Sequence, residues 1–327
     1  VAIGSGLGSS FGFKAESTYG TKVVCDRFVE FTKESLVPEM EYLLPMGMGV
    51  RRIQRADQLI VNQYGAKGQV EVELMTKGCG LLLEHAVGAS TSAAVGATAE
   101  YLQTYAAPVT TGLTGKYLTM QVAIPQSPDA VVRTKTVTGA KITKCTMSAQ
   151  LGGLVKLAMD VIAKQLDDST TLAVPSFAAN RQPYVYSQGA LTIGGVANVV
   201  KSFEFAWDNK LDPERRGIGA PQRREAIAIN FLEPTGKLDA EFESLANFDA
   251  FLAGTLATLV LTFTGGTIPT TANPYKLTLT IPKIYFTGEA PQVSGPAIVR
   301  QQLQFAALWD GSAAPFTLTL NTDDVSP

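Results

Sequence analysis

Apolar and polar side chains alternate along much of the chain, and that alternation predicts strands. The clearest run is QVEVEL at 69–74, where Val70, Val72 and Leu74 share one face and Gln69, Glu71 and Glu73 share the other. Strands are expected at 68–76, 117–125, 141–149, 225–232, 275–282 and 297–305. Two segments have helical spacing instead, LLLEHAVG at 81–88 and LANFDAFLAG at 245–254. The expected fold is mainly β, with β-sandwich or open-barrel units that each carry one flanking α-helix.

The pattern also repeats. VTGAKITK at 137–144 matches VSGPAIVR at 293–300 without a gap, at an offset of 156 (295 − 139). Upstream, YLTMQVAIP ends at Pro125 and YKLTLTIP ends at Pro282, an offset of 157. Looser pairs are LVPE at 36–39 with LDPE at 211–214, and QVEVEL with EAIAINF at 225–231. Shared order across these elements predicts a duplicated unit of about 150 residues. The boundaries read as an N-terminal arm and first unit over 1–165, a turn-rich linker over 166–185 and a second unit over 186–327.

Composition narrows the function. The chain is 46% hydrophobic and 17% charged, enough for a packed core, and the net charge of −2 lacks the basic surplus of a protein that grips DNA phosphates. Cys25, Cys79 and Cys145 are too few and too scattered for a disulfide framework or a zinc site. No Asn-X-Ser/Thr sequon occurs, no leader pattern opens the sequence, and the apolar stretch near 250–264 is too short for a membrane helix. The expectation is a soluble protein made in a bacterial cytoplasm, without cofactor, metal or membrane.

Enzyme-like motifs fail on context. Gly4, Gly6 and Gly8 imitate a dinucleotide fingerprint, but only three residues precede Gly4 and no helical period follows. GSSFG at 8–12 imitates a nucleophile elbow around Ser10, yet the one histidine, His85, lies among apolar neighbours on a helix. Asp167–Asp168 and Asp323–Asp324 show no calcium-loop spacing. A non-enzymatic role is expected.

KAESTYGT at 14–21, QGALTIGG at 188–195 and FEFAWDNKLDPERRG at 203–217 resemble segments of the major tail tube proteins of long-tailed, siphophage-type bacteriophages. The residues that carry the resemblance are Lys14, Glu16, Tyr19, Gly20, Asn209, Leu211, Arg215, Arg216 and Gly217. Trp207 stands where a more aliphatic residue is expected. The resemblance implies two tandem tail-tube-like domains in a virion subunit, whose rings stack into a tube for passage of double-stranded genomic DNA. Its implied partners are further copies of itself, tail tip and tail terminator proteins. Duplication favours a trimeric ring with pseudo-sixfold symmetry. The alternative is a hexamer with the second domain outside. On this reading Glu71 and Glu73 face the lumen, while Arg51, Arg52, Arg55, Arg215 and Arg216 make contacts between rings. Competing readings are the inner tube of a contractile injection machine, a carbohydrate-binding or adhesin-like β-sandwich, and an enzyme using the glycine-rich N-terminus.

Overall fold

The computed structural model describes residues 3–49, 52–127, 131–242, 246–287 and 298–327. Its elements follow the alternation closely, because a strand with one face in the core and one in water needs that pattern. The first half contains β1 (Ile3–Gly4), β2 (Ser10–Ala15), β3 (Arg27–Val29), β4 (Phe31–Glu34), β5 (Val37–Leu43) and β6 (Ile60–Glu73). Next come helix α1 (Gly80–Val87), β7 (Ala89–Ala94), β8 (Tyr101–Ala106), β9 (Leu118–Ser127), β10 (Val131–Gln150), β11 (Lys156–Ala163) and β12 (Gln165–Asp167). The second half contains β13 (Gly189–Ile193), β14 (Val196–Asn198), β15 (Val200–Asp208) and β16 (Glu233–Glu241). Helix α2 (Ala246–Ala253), β17 (Ala257–Thr267), β18 (Pro274–Phe286), β19 (Arg300–Ala307) and β20 (Thr317–Thr322) follow.

All ladders are antiparallel. One sheet runs β3–β2–β9–β10–β12 through the first part of β10. At Val137–Ala140 the register of β10 shifts around Gly139, whose φ of 62° suits a residue without a Cβ. Beyond this bend β10 enters a second, longer sheet. That sheet runs from β4 and β5 through β6, β11, β10, β15, β16 and β19. A third sheet, β14–β13–β17–β18–β20–β8–β7, joins the long one where the end of β18 pairs with β19. Among the described residues these pairings close no circle, so outer edges remain, including that of β4 and β5.

Apolar faces of the sheets form one contiguous core. In the second half, Phe205 meets Phe316 edge-on at 5.2 Å and stacks against Phe305 at 6.4 Å, and Trp207 lies 5.4 Å from Phe316. Both helices appear close to their expected positions. The segment 225–231 is the exception. It is not a strand, and its one bridge is Leu211 with Ala228. Its backbone serves a bent arm instead, with Asp212 N–H donating to Ile227 O and Ile229 N–H to Lys210 O. Of the repeated motif at 293–300, residues 293–297 lie outside the described residues.

His85 is buried on α1, and its Nδ1 lies 3.0 Å from the Leu81 carbonyl, to which the neutral ring donates. Burial pushes its pKa down to about 4, against the raising effect of that hydrogen bond. An unfolded histidine titrates near 6.5, so on acidification the unfolded chain takes the proton first. Stability is therefore complete above about pH 6.5 and falls by about 3 kcal/mol as pH drops through 4. Urea midpoints measured from pH 7.5 to 4.5 should show this loss, with a smaller one in His85→Gln. Equal slopes in both proteins would contradict it.

Candidate assembly surfaces

The long sheet buries one face and leaves the other polar. Along it, residues facing away from the core are Glu71 and Glu73 on β6, Lys156 and Asp160 on β11, and Thr146 and Ser148 on β10. The same face continues with Ser202 and Glu204 on β15, Lys237, Asp239 and Glu241 on β16, and Gln302 and Gln304 on β19. Three ion pairs cross it, Lys156–Glu71 at 2.9 Å, Lys237–Glu204 at 3.1 Å and Arg300–Asp239 at 3.3 Å. The Lys156 ammonium, helped by the Thr32 hydroxyl, holds the Glu71 carboxyl below its usual range. Carboxylates outnumber cations on this face, which disfavours binding of a polyanion.

The β10–β15 ladder joins the two halves of the chain. Lys144 pairs with Asp208 and the register continues unbroken to Gln150 with Ser202. At its end Trp207 Nε1 and Asn209 Nδ2 both donate to the Ala86 carbonyl of α1, each at 3.0 Å. Asn209 also donates to Ile142 O. Past Asn209, residues 209–232 form an arm that folds back over the first half. Tyr64 N–H donates to Pro221 O, Gln222 to Gln165, and Tyr19 Oη to Arg224 O.

Two buried charges fasten this arm. Lys141, 2% exposed, reaches Glu225 at 2.8 Å and the Leu113 carbonyl at 2.6 Å. Burial pushes its pKa below the ordinary range, against the pull of Glu225. Arg223 is also 2% exposed. Its guanidinium donates to Pro213 O, to Ala66 O and Ala163 O at 3.3 and 3.0 Å, and to the Glu39 carboxylate at 2.8 Å. Beneath the arm Leu211, Ala226 and Leu113 form a small apolar cluster with Ile162 against it.

The residues singled out from sequence are distributed as follows. Glu71 and Glu73 lie on the polar face. Arg215 donates to Glu225 O, and Arg216 to Gln63 and Glu214, so both have partners within the chain. Arg52 is exposed, Arg55 is exposed and paired with Asp57, and Arg51 lies outside the described residues. Lys14 pairs with Asp26 at 2.7 Å. Glu16 accepts from Gly20 N–H, Gly139 N–H and Thr119 Oγ1, which fixes the turn holding Tyr19 and Gly20. Leu211 is buried under the arm. Sequence reasoning missed Lys141, Arg223 and Glu225, because nothing local marks a lysine or arginine as buried.

The β5–β6 hairpin contrasts with the fastened arm. Its outer edge is unpaired among the described residues, and Met40, Tyr42, Leu43, Met46, Met48 and Ile53 are exposed. Adjacent exposed apolar residues at an open strand edge are a liability unless another strand or surface covers them. No helix among the described residues is long and apolar enough to cross a membrane. A search of curated proteins returned no match. A family model described as phage tail tube protein matches residues 6–307.

Proposed function

We propose, since the chain belongs to the phage tail tube protein family, that it forms stacked rings around a lumen for phage DNA. Three chains would make each ring, every chain supplying two tandem domains. The observation that carries this reading is the β10–β15 ladder, which makes one long sheet from both halves, polar on one face and open at the β4–β5 edge. Continued from chain to chain, such a sheet closes into a barrel whose polar, acid-rich face lines the channel. Glu71 and Glu73 then face DNA and repel its phosphates. Tail tip and terminator proteins would cap the tube. The role is structural and belongs to the virion.

Tandem duplication has two supports. The first is topology. The pairings β2–β3, β2–β9, β9–β10, β10–β11, β10–β12, β11–β6 and β6–β5 recur in order as β13–β14, β13–β17, β17–β18, β18–β19, β18–β20, β19–β16 and β16–β15. Each helix follows the corresponding strand, β6 or β16. The second is sequence. With β6 placed on β16, residues 43–73 align with 211–241 without a gap at an offset of 168 (211 − 43). Leu43, Pro45, Gly49, Gln54, Arg55, Asn62, Gly68 and Glu73 are identical to Leu211, Pro213, Gly217, Gln222, Arg223, Asn230, Gly236 and Glu241. Gly68 and Gly236 are both required by close packing: a Cβ would lie 2.4 Å from Ser35 O in one and 2.2 Å from Phe305 in the other. On this alignment VTGAKI corresponds to Ile281–Phe286 of β18 rather than to its motif match at 293–300.

A binding-module reading loses its main resource, since Trp207 is in the core and cannot join Trp309 in an exposed aromatic platform. End-on electron microscopy of assembled protein tests the proposal. The expected image is a ring of three chains with six similar lobes and an open centre. A monodisperse monomer at high concentration, with or without tail tip protein, would overturn it.

A further inference from the structure

We propose that the exposed β5–β6 arm of one copy docks on the second domain of a neighbouring copy, with Arg55 taking there the part that Arg223 plays within the chain. This rests on the ring assembly proposed above and assigns the contact residues of its seam. The fastened arm 209–232 and the free arm 40–64 occupy the same place in the aligned stretch, Gln222-Arg223-Arg224-Glu225 falling on Gln54-Arg55-Ala56-Asp57. One arm has its receiving surface inside the chain. The other meets the fastened arm at its base, through Gln63 and Tyr64, while Met48 and Arg55 nearer its tip have no receiving surface among the described residues.

The receiving positions can be read off the pairings. Lys141 pairs with Ile162 in β10–β11, and Tyr285 pairs with Ala306 in β18–β19, an offset of 144 in both strands. Ala163 therefore corresponds to Ala307, and Gln165 to Trp309. Glu39 pairs with Gly65, and Asp208 with Glu233, so the carboxylate that receives Arg223 corresponds to Asp208. Arg55 is thus offered Asp208 and the carbonyls of Pro234 and Ala307 on the neighbour, matching Glu39, Ala66 O and Ala163 O.

The remaining contacts change character together on both sides. Within the chain, Arg216 donates to Gln63 and Gln222 to Gln165, polar onto polar. At the free seam Met48 corresponds to Arg216 and Phe231 to Gln63, and these two are fully and 88% exposed. Trp309, 53% exposed, replaces Gln165. A groove of about 450 Å³ lies open between Tyr285, Ala306, Thr235 and Glu204, where Lys141 and Ile162 of the first domain are covered by the arm. Met48, Phe231 and Trp309 stand on the arm and its dock where the intrachain seam has polar residues, and Met, Phe and Trp are the types enriched in the buried core of an interface. The charged anchor is kept: Arg55 for Arg223, Asp208 for Glu39.

Paired cysteines test the contact. The native thiols Cys25, Cys79 and Cys145 are buried, so they do not compete. Assembled Met48→Cys/Phe231→Cys protein, oxidised and run without reductant, should give covalent dimers and trimers, which Met48→Cys alone should not. Arg55→Ala should melt as the parent does, because its exposed pair with Asp57 contributes little, yet need roughly tenfold more protein to assemble once the contact with Asp208 of the neighbour is lost. If parent and Arg55→Ala assemble equally and the double-cysteine rings stay monomeric on the gel, this contact is wrong while the tube stands. If the parent forms no rings under any condition, the tube reading fails and takes this contact with it.

Discussion

Replacing Arg223 with alanine should cost about 3 kcal/mol of stability, as expected when one partner of a buried ion pair is removed. The guanidinium supplies donors to three backbone carbonyls and to Glu39, and two of those carbonyls belong to the buried residues Ala66 and Ala163. Glu39 keeps Lys67 at 2.9 Å, which limits the loss. Burial pushes the Glu39 carboxyl up, but hydrogen bonds from Lys67 and Arg223 outweigh this and leave its pKa below the usual range. Arg223→Lys should recover less than half, since a single ammonium cannot span Pro213, Ala66 and Ala163. Urea midpoints decide it: an unchanged midpoint in Arg223→Ala would mean that the arm is not held by this residue. The contrast with Arg55 is the informative part. One arginine should govern folding and its counterpart assembly.

Trp207→Ala should be the most damaging single core change, at roughly 3–5 kcal/mol for loss of a fully buried aromatic. Trp207 fills the space between Phe205, at 5.7 Å, and Phe316, and its indole N–H satisfies the Ala86 carbonyl across the β10–β15 ladder. Trp207→Phe should retain most of the packing and lose about 1–1.5 kcal/mol, the worth of one hydrogen bond. Thermal melting of the three proteins tests this ordering. Asn209 would still donate to Ala86 O, so the ladder should survive in Trp207→Phe. The family resemblance leads to the expectation of a more aliphatic residue here. The structure has an aromatic because this position must both fill the sandwich and reach a helix carbonyl.

Much of the fold was legible. Alternation located β6, β9, β10, β18 and β19, and the helical period located both helices, because one-sided burial imposes those periods directly. Most of the motif at 293–300 lies outside the described residues, whereas GQVEVE at 68–73 and GKLDAE at 236–241 lie in β6 and β16, which pair with β11 and β19. Glu225-Ala226-Ile227 looked like a strand because it alternates. That alternation serves instead to bury Ala226 under the arm while Glu225 meets Lys141. Glu71 and Glu73 could be assigned to a polar face from their spacing. Lys141 and Arg223 could not be recognised as buried, since Lys141 is covered by the arm that carries Glu225 and Arg223, on that arm, lies against Ala66 and Ala163 far earlier in the chain.

The pairing of β8 with β20 has a consequence in time. Thr104 lies opposite Thr319, 215 residues later (319 − 104), and beyond β20 the chain returns to the start of α1, with Asp324 accepting from Gly78 N–H and Lys77 paired with Asp323. The first half therefore cannot complete its own outer sheet while the ribosome is still making the second. Contacts this remote in sequence form late and slowly. A truncated chain leaves β8 paired only with β7 and the start of α1 without Asp324, so it lacks the finished surface that a growing tube must accept. Completion of synthesis thus becomes a condition of competence, and the tube is protected from fragments by the order in which its subunit can fold.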